Sequence, residues 1–366
     1  MSGNYGWCGR DRTDDLDSRS YNQSGFSRAH QAYDTGAPAS AFDDADSRLN
    51  RSRRASSVRM TRGSLTPAVD LNPRKAQKTT AKNVIIIDLD TTGSMDRWKE
   101  EIFKRLPLLY KEAQGFLGDD LEVLFITHGD IQRCGDPFEV APLGAGPILD
   151  QYIAALCRGS SGGGNAIESA ELGALYVNSL LDTSEAKSVY FITITDEGFY
   201  SNLDPATADA IMGLRLPPEL TSATELYRGL KPRMNVFTIL PQTNAYSATH
   251  MTQIKNQWDE ALGAEFVVPL DDARRVVDVI LGIIGKTTGQ YGKFTQTLNN
   301  RQGGTQHGSQ NISNVHQSLA LVPGAQAPSV KAGTKSLLDV NAPAVPAVNV
   351  TDSSTTHSGS KSLTDV

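Results

Sequence analysis

Asn83-Val84-Ile85-Ile86-Ile87-Asp88-Leu89-Asp90-Thr91-Thr92-Gly93-Ser94-Met95 begins as an apolar, β-branched run and ends in a knot of oxygen-bearing side chains. Val84 to Ile87 suit a strand covered on both faces of a sheet. A helical pattern starts at Met95, just past Gly93. In an open α/β sheet, ligands bind in the loops at the carboxyl ends of the strands. Asp90, Thr92 and Ser94, at alternating positions, offer carboxylate and hydroxyl oxygens. Such donors suit a hard cation such as Mg²⁺.

Outward from this stretch, the pattern alternates between strands and helices. Trp98, Ile102, Leu106 and Tyr110 fall at helical spacing within 95–116, with Pro107 expected to kink that helix. Residues 121–127 read as a second strand that opens into His128-Gly129-Asp130, and 138–141 as a short antiparallel edge strand. A helix over 148–157 precedes Gly162-Gly163-Gly164-Asn165, which runs into an apolar helix over 170–181. Strands at 189–194, 235–240 and 265–268 alternate with helices within 203–230 and at 251–262 and 271–284. The alternation predicts an α/β fold with a doubly wound, mostly parallel sheet and one antiparallel edge strand.

Composition divides the chain into one domain, 82–286, between two tails expected to be disordered, 1–81 and 287–366. Residues 81–286 carry 17 lysines and arginines against 29 aspartates and glutamates, a balance of −12. Residues 1–80 stand at +4 and 287–366 at +2. An acidic globule lacks the basic face that nucleic acid requires. Cys8, Cys134 and Cys157 show no metal-ligand spacing and no disulfide framework. Met1 to Trp7 lack the regions of a signal peptide, and no apolar run approaches a membrane span, so the cytoplasm is the expected compartment. The octapeptide at 333–340 recurs at 359–366. Its apolar residues Leu337, Leu338, Val340, Leu363 and Val366 make it a candidate pair of docking peptides, since two linked weak sites raise avidity.

Asp90-Thr91-Thr92-Gly93-Ser94-Met95 resembles the Asp-x-Ser/Thr-x-Ser motif of von Willebrand factor A domains with a metal-ion-dependent adhesion site. Gly162 to Asn165 and Thr195-Asp196-Glu197-Gly198 fall where that family has its second and third ligand loops, and the resemblance spans about 82–286. It implies Asp90, Thr92, Ser94, Asn165 and Asp196 as ligands of Mg²⁺ (or Mn²⁺ or Ca²⁺). Asp88, Asp130, Glu168 and Glu197 become candidates for the groups around them. Further implications are a Rossmann-like fold and an intracellular adaptor or scaffold that captures a partner's Asp or Glu through the ion. Intracellular members often work beside an AAA+ ATPase or a kinase. Two residues depart from the pattern. Asn165 keeps an oxygen but no charge, and Asp88 stands where the family has an apolar residue.

Asp88 supports an alternative. Asp88-Leu89-Asp90-Thr91-Thr92 also resembles the first motif of haloacid-dehalogenase-type phosphatases. That resemblance implies Asp88 as nucleophile and Asp90 as acid/base beside Mg²⁺, with Lys187 in the family's lysine role. It leaves Gly93-Ser94-Met95 and the triple glycine unexplained. The expectation is therefore a binding module, not an enzyme.

Overall fold

The computed structural model describes residues 69–156, 166–242, 246–304 and 307–324. The main elements are β1 (Asn83–Asp90), α1 (Asp96–Leu117), β2 (Leu121–His128), β3 (Glu139–Val140), α2 (Ile148–Ala155), α3 (Ala170–Ser179) and β4 (Ser188–Ile194). They continue with α4 (Pro205–Met212), α5 (Ala223–Leu230), β5 (Asn235–Pro241), α6 (Ala248–Leu262), β6 (Val267–Leu270), α7 (Val276–Thr287), α8 (Tyr291–Gln302) and α9 (Gly308–Ser318). The six strands form one sheet in the order β6-β5-β4-β1-β2-β3. Every pairing is parallel except β2 with the short edge strand β3. The fold is the expected α/β type with a mostly parallel sheet and one antiparallel edge.

β1 lies in the middle, and its side chains alternate between two cores. Ile85, Ile87 and Leu89 pack with α1 and α7, burying Ile102, Phe103, Leu109, Val279 and Ile283. Val84 and Ile86 pack on the other face with α3, α5 and α6, around Leu175, Tyr227 and Trp258. Asp88 and Asp90 continue this second face toward the carboxyl end of the strand. Helix α1 runs unbroken through Pro107.

Both expected domain boundaries are corrected. The amino-terminal arm does not extend to residue 81, because the chain is held in place from Leu71 onward. Leu71 O accepts from Val140 N at 3.2 Å, and Gln77–Lys78 pairs with Leu181–Asp182. At the other end the fold continues beyond 286. Phe294 and Leu298 of α8, Val315 of α9, and Leu319 and Val322 join the core against α1 and α7. Gly282 and Gly285 permit this approach, since a Cβ at either would strike Leu319 or Phe294. Arg301 adds a partly buried bridge from α8 to Glu112 of α1 at 2.9 Å and to Asp278 of α7. Polar Asn- and Gln-rich faces hid these helices in the sequence, because only one or two apolar side chains per turn reach the core.

Residues 1–68 and 325–366 lie outside the described residues, as do both octapeptides with Leu337, Leu338, Val340, Leu363 and Val366. Among the described residues no helix is long and apolar enough to cross a membrane.

If α8 belongs to the folded unit, Phe294→Ala will lower the unfolding free energy of the full chain by about 3–5 kcal/mol in urea denaturation. A terminal segment that merely rested on the surface would give no such loss.

Candidate functional site

The carboxyl ends of β1, β2 and β4 meet at one edge of the sheet. Asp90 closes β1 with an Asx turn: its Oδ1 accepts from Thr92 N at 2.8 Å and from Thr92 Oγ1 at 2.7 Å. Its Oδ2 accepts from Thr195 Oγ1 at 2.9 Å, across from the β4 loop. Gly93–Met95 then forms one 3₁₀ turn, which sets Ser94 Oγ 3.1 Å from Thr92 Oγ1. Ser94 Oγ donates to Asp196 Oδ1 at 2.9 Å. Four of the five residues expected as ligands are thus joined in one hydrogen-bonded chain. The fifth, Asn165, lies in 157–165, outside the described residues.

The remaining acidic residues gather around this chain. The two-residue strand Ile167–Glu168 pairs with Gly198–Phe199, and Gly198 N donates to Ala166 O at 3.1 Å. Ser169 N donates to Gly129 O at 3.1 Å, and its Oγ accepts from Ile131 N at 3.0 Å. These bonds seat Glu168 between the loop of Asp130 and the loop of Asp196 and Glu197. Ala166 takes a φ of 59°, left-handed for a residue with a Cβ. That conformation costs roughly 1–2 kcal/mol and turns the chain into this pairing.

Asp90, Asp130, Glu168, Asp196 and Glu197 are all buried. Asp130 Oδ1 is held by the Tyr200 hydroxyl at 2.7 Å, and Glu197 Oε1 accepts from Tyr246 Oη. Asp130 Oδ2 has no hydrogen-bond partner, and the carboxyls of Glu168 and Glu197 lie against each other, with no other donor on Glu168 among the described residues. Among the described residues no lysine or arginine side chain reaches Asp90, Asp130, Glu168 or Glu197. Burial, with the charges of Asp90 and Glu197 added, pushes the Glu168 carboxyl far above the usual range. Burial raises Glu197 too, outweighing its hydrogen bonds with Glu168 and Tyr246.

This is a hard, oxygen-only set of carboxylates and hydroxyls, the chemistry that Mg²⁺, Mn²⁺ or Ca²⁺ takes. No three His, Cys, Asp or Glu side chains among the described residues form a metal cage by themselves. The two expected carboxylate ligands are linked through hydroxyls instead.

Asp88 has a different place. It is fully buried, its Oδ1 lies 2.7 Å from His128 Nδ1, and its Oδ2 faces Gly173 of α3 without a partner. The charge and hydrogen bond of Asp88 raise His128 above its ordinary value against the pull of burial. The pair sits directly beneath the Asp90 loop, since His128 O accepts from Thr91 N at 2.9 Å and from Thr91 Oγ1 at 3.1 Å. Glu171 of α3 lies close to the imidazole and accepts from Gln132 Nε2 at 3.1 Å and Tyr200 N at 3.2 Å.

This geometry weighs against the phosphatase alternative. A nucleophile must meet its substrate, and Asp88 has no exposed surface and one oxygen committed to an imidazole. Lys187 stands at the opposite end of the sheet, where its N–H bonds Lys82 O at 2.7 Å beside a cavity of about 230 Å³. The His128 pairing was the signal missed: Asp90 and His128 are register partners, which places Asp88 and the His128 ring on neighbouring strands.

No family model matches the chain, and no curated protein matches it. Solved structures similar to it include the pilus adhesin SpaC of Lactobacillus rhamnosus GG in an open conformation, at 16% identity and a TM-score of 0.43. That match covers 62% of this chain and 31% of the adhesin, so the chain spans about a third of the adhesin's length. The vWF domain of the type V pili tip protein Mfa5 of Porphyromonas gingivalis matches at 10% identity and a TM-score of 0.38, covering 60% of this chain and 96% of that domain. The PilB minor pilin of Streptococcus sanguinis matches at 12% identity and a TM-score of 0.35, covering 56% of this chain and 61% of the pilin. Likeness at this level assigns no role to the chain.

Two outcomes follow from the buried acids. Gly173→Ala drives a methyl group into the Asp88 carboxylate and will destabilise the protein by about 1–3 kcal/mol in urea denaturation. Burial raises the Glu171 carboxyl to about 8, so between pH 4.5 and 8 the folded chain holds a proton that the unfolded chain has lost. Stability therefore falls as pH rises through that window. His128 acts in the same direction, because its stabilising proton is lost as pH rises through its elevated value. The melting temperature in EDTA will be lower at pH 8 than at pH 5, and Glu171→Gln will flatten the slope.

Proposed function

We propose that this chain is a protein-binding module, an adaptor or scaffold, that holds Mg²⁺ (or Mn²⁺ or Ca²⁺) through Asp90, Thr92, Ser94, Asn165 and Asp196. The ion would capture an Asp or Glu carboxylate of a protein partner. One observation carries the reading: the Asp90–Thr92–Ser94–Asp196 hydrogen-bonded chain joins loops 102 residues apart. Among the described residues, no lysine or arginine side chain reaches Asp90, Asp130, Glu168 or Glu197.

The residues fit the role chemically. A hydroxyl both donates and accepts, so Thr92 and Ser94 can keep donating to Asp90 and Asp196 while their lone pairs face an ion. Thr195 and the Thr92 amide fix the Asp90 carboxylate before any ligand arrives. The bound cation would offset the clustered negative charge and leave a position for an acidic group from outside. The setting implied by the family resemblance is a multi-protein assembly containing an AAA+ ATPase or a kinase, with the carboxyl-terminal repeats as further docking points.

In a melting assay of the full chain, Mg²⁺ at 100 times its dissociation constant will add about 2.7 kcal/mol of stability. Asp90→Ala will remove that gain. Proteins retained from an extract of the source cells will be lost both on EDTA treatment and with Asp90→Ala. Retention unchanged in both would overturn the reading.

A further inference from the structure

Lys187 takes no part in the site at the carboxyl edge, yet it lines the cavity of about 230 Å³ at the other end of the sheet. That cavity lies where β1, β4 and β5 begin and where α1 and α7 end. Phe116, Val189 and Tyr190 are buried and form its apolar interior. Lys187 is exposed and Ser188 half-buried, so these two residues stand at its mouth. An apolar cavity of about 150 Å³ is enough to admit benzene, so this volume suits a ligand built on one ring or a short branched chain.

The polar groups around the cavity select the ligand's charge. Asn83 Nδ2 donates to Leu117 O at 2.8 Å, and Asn235 Nδ2 to Val189 O at 3.3 Å. Tyr190 Oη lies 2.8 Å from Thr287 Oγ1, and Thr288 Oγ1 donates to Ile284 O at 2.7 Å. These side chains are thus committed to one another and to the backbone. Among the described residues, Lys187 is the only charge in the lining, and its side chain has no hydrogen bond or ion pair. The negative ends of the two helices have cations of their own. Lys293 donates to Gly115 O in the last turn of α1 and lies over the Phe116 ring, and Lys286 stands in the last turn of α7. A pocket that is apolar within, with one placed charge at its mouth, orients a ligand of matching polarity.

We propose that this cavity binds a small carboxylate with a compact apolar body. The ring or branched chain would lie against Phe116, Val189 and Tyr190, and the carboxylate would meet Lys187. The site shares no residue with the metal reading and does not depend on it. Its walls come from five elements, so a ligand held there ties the ends of α1 and α7 to the starts of three strands.

Fluorine NMR titrations of the full chain with para-fluorophenylacetate, and with its neutral amide, test the proposal. Wild type should bind the acid roughly tenfold or more tightly than the amide, because a hydrogen bond to a charged group is the stronger kind. Lys187→Gln, at an exposed position, should bring the acid down to the amide's affinity. Ser188→Phe, which fills the mouth, should abolish binding of both. An acid that binds wild type and Lys187→Gln alike overturns the proposal, as does an amide that binds as well as the acid. Failure of wild type to bind the acid also overturns it. Should Ser188→Phe fail to fold, a chain labelled with ¹³C-valine decides. The ligand's ring must show magnetisation transfer to the Val189 methyl groups, assigned through Val189→Ile, and its absence overturns the proposal.

Discussion

Negative charge buried at the carboxyl end of the central strand is the constraint on which the site depends. Asp88, Asp90, Asp130, Glu168, Glu171, Asp196 and Glu197 are all withdrawn from water. An ionised carboxylate in such surroundings must be hydrogen-bonded, paired, protonated or bound to a cation. The fold uses several of these solutions within a small volume. Asp90 is hydrogen-bonded at both oxygens, Asp88 is paired with His128, and Glu171 is held by Gln132 and a backbone amide. Glu168 and Glu197 lie against each other, and burial raises both carboxyls above their ordinary values.

Much of this was readable in the sequence because it follows from local chemistry. The β-branched run at 84–87, the oxygen donors at 90, 92 and 94, and the strand endings at 128 and 194 all lie within short windows. Parallel topology then forces the endings together at one edge of the sheet. Asp88 was legible as an anomaly but not as a partner, because its meaning comes from the register of β1 against β2. That register is a property of the sheet and of no single segment.

The misplaced boundaries have a similar cause. Tyr291–Gln302 and Gly308–Ser318 are mostly polar, and their helices are fixed by a few large contacts and by the bridge from Arg301 to Glu112 and Asp278. Composition weighs every residue equally, whereas packing weighs a buried Phe294 far above a row of exposed glutamines. The same reasoning places Gln77, whose side chain bonds Ala141 O and Tyr176 Oη, inside the fold despite its polarity.

Gly173 and Asp88 occupy each other's space, and this has a consequence for how the sequence can change. A side chain at 173 is excluded while a carboxylate stands at 88, and without that carboxylate His128 would lose its counter-ion. The three positions therefore form a locked set in which no member can be exchanged alone without a penalty. A related chain that carries an apolar residue at the position of Asp88 is free to take alanine in the helix and to part with the histidine. Among relatives, the three should be inherited together or lost together.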